Sequence, residues 1–371
     1  MVQQSEALKL GVLLGDDIGL EVVPEAVKVV QAAADQVGLP ISWSDHPIGR
    51  KAFDSIGKTL PDGTLDALEE LDGWILGPIG HRAYPKTPGA VNPHPIIRRH
   101  FDMYSNVQLV RSFESLPCLH HNVDLVIVRE NTEGFQPDRN VVAGSGEFRP
   151  SPDMTISVRV ITRQASSRIA RAAFELASTR PRKKVTAVHK ETIFKLGCGM
   201  FAEECRKVAE EFPDVELEEV MVDTFALRLV MNPQQYDVVL TTNMFGDIIN
   251  DEAAGLVGGL GMTPRVNTGT RQVMAQAPHG SAPDIAGRNI ANPYSMIMSA
   301  QMMLDWLGRS RRDERIIKAA GAVKDAAYHV IENRLCLTPD LGGEASTTDM
   351  GDAIVSAMKE LSSGTMTAQA V

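Results

Sequence analysis

The chain has 371 residues, of which 43% are hydrophobic and 23% are charged, and its formal net charge is -10. This length predicts two domains, or one large α/β unit with a second lobe, and the composition excludes disordered, fibrous and membrane-embedded proteins. Because no block of Lys and Arg interrupts the acidic balance, the sequence indicates neither a nucleic-acid partner nor an anionic membrane partner.

Apolar runs of strand length alternate with helical patterns along the chain. The first predicted strand, 8–14, precedes a predicted helix, 22–37, and a second strand, 74–76, follows a helical segment that ends near Leu71. Further strands are predicted at 125–128, 156–161, 185–188, 215–220 and 238–241, and further helices at 163–178, 199–212, 225–231, 245–256, 293–307, 314–333 and 347–361. The alternation predicts an α/β architecture, and the lack of a linker predicts that any second domain is inserted into the first.

The amino-terminal segment and the cysteines indicate the cellular compartment of the protein. Segment 1–10 lacks a basic region followed by a long apolar run, so neither a secretory signal nor a transit peptide is expected. The four cysteines form no CxxC pair. Together these features predict reduced thiols in a cytoplasmic protein.

The segment 138–153 is rich in Gly, Pro, Ser and charged residues and is predicted to be an exposed loop or arm. Residues 154–161 after it read Met-Thr-Ile-Ser-Val-Arg-Val-Ile and favour a strand. The arm is therefore either a surface insertion or a clasp in which this strand pairs with its copy in a second subunit.

The sharpest local motif is Asn-Met-Phe-Gly-Asp-Ile-Ile-Asn-Asp at 243–251, after a predicted buried strand. Asp247 and Asp251 are four residues apart, so a helix places both carboxylates on one face. They repel each other unless a proton or a cation lies between them, and Mg²⁺ and Mn²⁺ prefer such oxygen ligands. By themselves they are also compatible with a solvated acidic first turn that suits the helix dipole.

Three arginines and one further aspartate are candidates for the same site. Arg129 follows the apolar run 125–128, and the carboxyl ends of strands in open sheets bind ligands, where an arginine suits a carboxylate. Arg98 and Arg99 lie on a short helical segment whose pattern turns one of them inward. Asp223 begins a predicted helix and is by itself typical of an ordinary N-cap.

Two glycine-containing loops are candidates for a cofactor site. Residues 14–21, Leu-Gly-Asp-Asp-Ile-Gly-Leu-Glu, follow the first strand but lack the GxGxxG spacing of the Rossmann fingerprint. Residues 279–287, His-Gly-Ser-Ala-Pro-Asp-Ile-Ala-Gly, form a loop of small residues with one carboxylate, Asp284, which suits ribose hydroxyls and disfavours a 2′-phosphate.

Taken in order, these motifs make the chain resemble the β-decarboxylating dehydrogenases, the family of isopropylmalate, isocitrate, homoisocitrate, tartrate and D-malate dehydrogenases. The resemblance runs from Gly15 to about Asp352. Its motifs are Arg-Glu-Asn-Thr-Glu-Gly at 129–134, Asn-Met-Phe-Gly-Asp at 243–247 with Asp251, the loop 279–287 with Asn292 and Pro293, and Asp-Leu-Gly-Gly-Glu-Ala-Ser-Thr at 340–347.

The resemblance implies an isocitrate/isopropylmalate dehydrogenase-like α/β fold that is not a Rossmann fold. A large cofactor-binding domain would comprise 1–101 and 265–371, and a smaller inserted domain, 102–264, would form a homodimer. The active sites would be shared between the two subunits, so a monomer is expected to be inactive.

The resemblance also implies roles for individual residues. Asp247 and Asp251 of one subunit and Asp223 of the other would bind Mg²⁺ or Mn²⁺, and Lys190, assisted by Asp223, would take the proton of the substrate's 2-hydroxyl group. Arg98 and Arg129 would hold the carboxylate that leaves. The expected reaction is the NAD-dependent oxidative decarboxylation of a malate-like 2-hydroxy acid.

Cofactor choice follows from the second loop. Family members that use NAD are similar to this chain in having Asp followed by Ile, whereas many that use NADP have Lys followed by Tyr. Asn292 matches a position that contacts adenine. The expected cofactor-binding residues are His279, Gly280, Ser281, Ala282, Pro283, Asp284, Ile285 and Asn292.

Two departures from the family pattern fall in the expected active site. Gln108 stands where the family has a third carboxylate-binding arginine, and Arg99 and Arg111 are the candidates to replace its charge. Gln136 stands where the family has the tyrosine that donates a proton to the enolate. An amide cannot serve as that acid, so water or Asp138 is the candidate.

Asn92 and His94, before Arg98, would meet the third substituent of the substrate. Isopropylmalate enzymes usually have leucines there, so this more polar pocket favours a carboxyl, hydroxyl or hydrogen substituent. Two other functions stay open: a regulatory or ligand-binding homologue of isocitrate dehydrogenase, which Gln108 and Gln136 favour, and an NAD-dependent dehydrogenase that keeps its β-carboxylate.

Overall fold

The computed structural model describes residues 7–135 and 146–363. Ten of its strands form one mixed sheet, and two more form a separate hairpin. The strands are β1 (Leu8–Leu13), β2 (Ile41–Asp45), β3 (Gly73–Leu76), β4 (Ser105–Arg111), β5 (Asp124–Glu130), β6 (Glu147–Ser151), β7 (Met154–Ser157), β8 (Lys184–His189), β9 (Glu216–Met221), β10 (Val238–Thr241), β11 (Arg265–Thr268) and β12 (Val273–Ala275).

Helices cover both faces of the sheet. They are α1 (Gly19–Gln36), α2 (Gly49–Ile56), α3 (Thr64–Glu69), α4 (Pro93–His100), α5 (Arg163–Ser178), α6 (Gly197–Ala209), α7 (Val222–Met231), α8 (Asn243–Leu256), α9 (Tyr294–Arg311), α10 (Glu314–Glu332) and α11 (Thr347–Ser362). None of the described helices is both long and apolar enough to cross a membrane. The four cysteines are free thiols.

The strand order of the sheet is β2-β1-β3-β12-β11-β4-β5-β10-β8-β9. Strands β2, β1, β3 and β12 run parallel, and so do β5, β10, β8 and β9. Between these halves, β11 is antiparallel to both β12 and β4, and β4 is antiparallel to β5. This reversal at the centre distinguishes the sheet from a parallel Rossmann sheet and brings residues from distant parts of the chain side by side.

The core is divided among several apolar clusters. In the largest, α1, α9, α10 and α11 pack together, and the buried alanines at 26, 33, 34, 319, 320, 326 and 327 allow their backbones to approach closely. In the other half, one cluster lies between the sheet and α5 and α6, and another between the sheet and α7 and α8. The domain division predicted at 101/102 and 264/265 falls at the central strands β4 and β11 and stays a prediction.

Most predicted elements are confirmed, with ends that shift by a few residues. The strand predicted at 156–161 is the main exception, because the chain pairs only over Met154–Ser157, as β7 in an exposed hairpin with β6, and then as a single bridge from Val160 to Gly134. Strands β2, β4, β6, β11 and β12 were not predicted, and β6 lies in the segment that was predicted to be a loop or arm. In β4 and β11, polar residues interrupt the apolar pattern, because buried partners in other segments satisfy their side chains.

Candidate functional site

The predicted acidic pair lies at the start of α8, against a buried arginine. The side chain of Arg129, at the end of β5, is almost fully buried and donates to Asp247 Oδ1 at 2.5 Å and to the backbone and side-chain oxygens of Asn243 at 2.8 and 2.9 Å. A Cβ at Gly246 would lie 2.5 Å from Arg129 Cγ. The glycine of the motif therefore makes room for the arginine beneath the helix.

The environment of the two carboxylates suits a divalent cation. Burial, and then the negative charge of Asp247, raise the pKa of Asp251, while Arg265 and Arg129 oppose this rise. Asp247 and Asp251 therefore lie close enough to repel each other, with Arg265 and Arg129 nearby. The side chain of Asp247 is 66% exposed, so its oxygens remain accessible to a ligand. An all-oxygen donor set of this kind fits Mg²⁺ or Mn²⁺.

The third predicted metal ligand does not join this pair within one chain. Across residues 7–135 and 146–363, the only three metal-ligand side chains within 4.8 Å of one another are His189, Glu191 and Glu219. Arg206 pairs with both of those glutamates, so this trio is an ion-pair network. A shared metal site made with a second subunit therefore stays a prediction.

Lys190 and Asp223 contact each other at the carboxyl ends of β8 and β9. Lys190 Nζ donates to Asp223 Oδ1 at 2.6 Å, and this hydrogen bond is the main reason that the pKa of Asp223 is lowered. The side chain of Asp223 is 65% exposed, so the pair faces outward from the chain. The N-cap prediction for Asp223 is wrong: Met221 is the N-cap of α7, and Asp223 lies inside the first turn.

Arg98 and His94 of α4, both predicted to bind the substrate, contact Gln276, which sequence reasoning missed. Arg98 Nη2 donates to Gln276 Oε1 at 2.6 Å, and Gln276 Nε2 lies 3.0 Å from His94 Nδ1. Burial lowers the pKa of His94 to about 3, so the ring is neutral and offers hydrogen bonds rather than charge. Asn92 caps α4 by accepting from the His94 backbone N–H. Arg98 is the inward arginine of the pair, and Arg99 is exposed.

Gln108 is fully buried within the sheet. Arg111 does not supply a positive charge near it. Gln108 Nε2 donates to the backbone oxygen of Asn250 at 3.0 Å. Arg111 lies at the opposite end of β4, paired with Asp124 and Glu332 and stacked over Tyr328. The predictions for Gln136 and Asp138 lie outside the described residues.

A buried polar network runs through the central strands from α4 to α8. Asn267 Oδ1 accepts from Asn106 at 2.7 Å and from Asn131 at 3.2 Å, and Asn267 Nδ2 donates to Gln276 Oε1 at 3.2 Å. Asn106 also lies 3.5 Å from Asn250. These five amides come from five separate segments of the chain and have no spacing in the sequence that links them. The polar residues Arg265 and Asn267 inside the short strand β11 were the one available signal.

The two candidate cofactor loops contact each other. The backbone N–H of Ile18 donates to the Ser281 carbonyl at 3.1 Å, and Gly287 N–H donates to Glu21. Ala282 adopts a left-handed conformation, with φ 44°, which turns the backbone sharply at the middle of the second loop. His279 is half-buried, and burial lowers its pKa, whereas Asp284 is exposed. The small residues of the second loop, with the first loop beside them, could hold a dinucleotide.

Asn292 has a structural contact that its expected role did not include. Its Oδ1 accepts from the Tyr294 backbone N–H at 2.9 Å, and its Nδ2 donates to Asp340 at 3.0 Å. Asp340 belongs to the motif 340–347, so this bond joins two of the recognised motifs. The other predicted cofactor residues, 279–285, lie together in the second loop.

Glu130 is a buried carboxylate beside the site that should make stability depend on pH. Burial raises its pKa to about 7, although its Oε1 accepts two hydrogen bonds from Thr132. Between pH 4.5, the ordinary value, and about pH 7, the folded state holds a proton that the unfolded chain releases. The free energy of unfolding therefore falls as pH rises through this window, by on the order of 3 kcal/mol.

We expect Glu130→Gln to remove this fall, because the amide keeps the Thr132 contacts without acquiring charge. The variant should unfold at a higher temperature than the wild type at pH 8 and at a similar temperature at pH 4.5. Thermal unfolding at the two pH values checks this, with the exposed Glu175→Gln as the control. Parallel pH profiles for the wild type and Glu130→Gln would contradict the expectation.

Comparisons with known proteins agree over nearly the whole chain. The family model for isocitrate/isopropylmalate dehydrogenase matches residues 9–354. A 3-isopropylmalate dehydrogenase of Archaeoglobus fulgidus is 40% identical over 352 residues, which cover 94% of this chain and 98% of that protein. An isocitrate/homoisocitrate dehydrogenase of Thermus thermophilus is 39% identical, covering 96% of this chain and 100% of that protein. The crystal structure of isocitrate dehydrogenase from Methylococcus capsulatus superimposes with a TM-score of 0.83 at 38% identity, covering 95% of this chain and 99% of that chain.

Proposed function

The chain belongs to the isocitrate/isopropylmalate dehydrogenase family, and from this premise we propose that it catalyses the NAD- and metal-dependent oxidative decarboxylation of a malate-like 2-hydroxy acid. Membership makes it an oxidoreductase of the decarboxylating type. The observation that carries the finer proposal is the acidic pair Asp247 and Asp251 beside the buried Arg129, at the edge of the polar network that includes Arg98 and His94.

The proposed substrate site combines two positively charged side chains with two neutral polar side chains. Arg129 uses three of its N–H groups on Asn243 and Asp247, which leaves donors of the same guanidinium for a carboxylate. Arg98, at the end of α4, provides the second cation. His94 and Gln276 are uncharged and polar, which favours a carboxyl, hydroxyl or hydrogen substituent over isopropyl at the third position.

In the proposed mechanism, Lys190 removes the proton of the 2-hydroxyl group and Asp223, hydrogen-bonded to it, accepts that proton in turn. Arg98 and Arg129 orient the β-carboxylate until it leaves as CO₂. When bound, Mg²⁺ or Mn²⁺ supplies Lewis acidity at the hydroxyl and stabilises the negative charge that builds during decarboxylation, and NAD supplies the hydride acceptor.

We further propose that the active unit is a homodimer in the cytoplasm. Apolar side chains are exposed on α7, on α8 and on the segment before α6, including Leu227, Met231, Ile248 and Leu196. The hairpin β6–β7 is exposed on both strands and stands apart from the main sheet, as a clasp to a second subunit would. Lys190 and Asp223 are close in the sequence to exposed apolar residues before α6 and on α7, and the acidic pair flanks the exposed Ile248 on α8. A dimer formed through these residues would therefore bring Lys190 and Asp223 to the partner's acidic pair.

For the cofactor, Asp284 and Ile285 support NAD over NADP. Asp284 is exposed at the turn of the loop, where its carboxylate accepts from ribose hydroxyls and repels a 2′-phosphate. We expect the double variant Asp284→Lys, Ile285→Tyr to lower kcat/KM for NAD and raise it for NADP, so that their ratio changes by about 100-fold or more. Initial rates with each cofactor measure this, with the KM for the hydroxy acid as the control. An unchanged ratio would assign NAD selectivity to other residues.

A substrate panel tests the proposed function. Isocitrate, tartrate, D-malate and 3-isopropylmalate are each assayed with NAD and Mn²⁺, and NADH and CO₂ are both measured. Formation of the two products in equal amounts supports the proposal, and preference for an acid with a polar third substituent supports the pocket argument. NADH without CO₂ would indicate a dehydrogenase that keeps its β-carboxylate. No NADH from any of the four acids would favour a regulatory homologue.

A further inference from the structure

Arg265 is a buried arginine directly opposite Gln108. In the antiparallel pairing of β11 with β4, Arg265 and Gln108 are Cα partners. Directly opposed residues of an antiparallel pair project their side chains to the same face of the sheet. Position 108 on β4 is therefore a glutamine, and the residue opposite it on β11 is an arginine.

The contacts of Arg265 leave its charge without a matched anion. Its side chain is only 9% exposed. Its hydrogen bonds, to the backbone oxygens of Gln276 and Ala277, are long, at 3.4 and 3.5 Å. Among residues 7–135 and 146–363 no carboxylate forms an ion pair with its guanidinium within 4.0 Å, although Asp247 and Asp251 interact with it from farther away. A buried guanidinium normally requires a carboxylate or another anion, so the environment is incomplete without one.

The neighbours of Arg265 place it between the parts of the site. It interacts electrostatically with Arg129, Asp247 and Asp251 on one side. The pKa values of His94, on α4, and of His279, in the second loop, are lowered mainly by burial, and the charge of Arg265 contributes to the lowering of both. Burial and Arg129 lower its own pKa to about 10, which keeps it charged at neutral pH. Repulsion between two buried arginines is relieved when an anion binds between them.

The other candidate arginines are less well placed. Arg111 is held at the far end of β4 by Asp124 and Glu332. Arg99 is exposed on α4, beside a cavity of about 340 Å³ that Arg168 and Glu133 also line. Arg265 alone of these three shares the electrostatic surroundings of the acidic pair.

We propose that Arg265 is a substrate-binding residue that holds a carboxylate of the hydroxy acid, supplying from β11 the positive charge that Gln108 does not supply from β4. This inference rests on the proposed function. Because neighbouring strands are about 4.8 Å apart, the charge lies one strand closer to β12 and to His94 than an arginine at 108 would place it. A carboxylate of the hydroxy acid would then lie between Arg129 and the residues of α4.

The test compares charge removal, charge conservation and charge relocation. Arg265→Gln should raise the KM for whichever of the four acids is turned over by about 50-fold or more, with kcat changed less and the KM for NAD unchanged. Arg265→Lys should raise that KM by about 10-fold, because a lysine keeps the charge and loses the bidentate geometry. The double variant Gln108→Arg, Arg265→Ser moves the positive charge from β11 to β4. Its KM for the acid should be at least about 10-fold lower than that of Arg265→Ser alone.

Arg111→Gln is the matched control, and its KM for the acid should stay within about twofold of the wild type. Thermal unfolding shows whether each variant is folded. A folded Arg265→Gln enzyme with a wild-type KM for the acid would overturn the inference. If Arg265→Gln does not fold, a wild-type KM in Arg265→Lys would overturn it instead. A wild-type chain inactive on all four acids would refute the proposed function, whereas an active wild type with unaffected variants would refute the role of Arg265 alone.

Discussion

Asp247→Asn is expected to lower kcat/KM for the hydroxy acid by about 1000-fold or more and to abolish binding of Mn²⁺. The substitution removes one negative charge from the acidic pair and also the partner of the buried Arg129. The loss of Lewis acidity affects both proton removal and decarboxylation, so it should appear mainly in kcat. Steady-state rates over a range of Mn²⁺ concentrations measure the effect, and calorimetric titration of the protein with Mn²⁺ gives a readout independent of turnover.

Glu252→Gln is the matched control for this prediction. Glu252 follows Asp251 on α8, and burial raises its pKa, but it faces away from the acidic pair in the helical periodicity. Its variant should keep the wild-type rate and Mn²⁺ affinity within about twofold. Mn²⁺ affinity unchanged in Asp247→Asn would contradict the assignment of the acidic pair, whatever its effect on the rate.

Lys190→Ala is expected to reduce kcat by about 1000- to 10 000-fold with little change in the KM for NAD. The amine is the proposed base, and an alanine leaves Asp223 without its partner. Lys207→Ala is the control, since Lys207 pairs with Glu203 and Glu204 on the exposed side of α6. Wild-type turnover in Lys190→Ala would remove this residue from the mechanism.

Mixing the two inactive variants tests whether the active sites are shared. In a mixed dimer of Lys190→Ala and Asp247→Asn subunits, one site carries both changes and the other carries neither. Random reassortment should therefore restore about a quarter of the wild-type activity. Each variant alone should remain inactive after the same treatment. Failure to recover activity, although mixed dimers are shown to form, would place Lys190 and Asp247 in the same site of one subunit.

Local sequence patterns determined the long helices and the chemistry-bearing motifs. The periodicity of α1, α5, α10 and α11 depends on residues a few positions apart, and packing of the apolar face agrees with it. Asp247 and Asp251 share a helix face for the same reason, and Arg129 lies near the carboxyl end of its strand, which extends two residues beyond the predicted 125–128. These features were readable because each depends on neighbours in the chain.

The tertiary structure alone decided which polar residues meet. Nothing near Gln108 indicates that Arg265 lies opposite it, and nothing near His94 points to Gln276, because strand pairing joins segments that are far apart in the sequence. Asn267, in β11, and Gln276, directly after β12, carry polar side chains whose burial is explained only by the network that joins them. A pattern of hydrophobicity records whether a residue is buried, whereas the partner that satisfies a buried polar group is set by the packing of the whole chain.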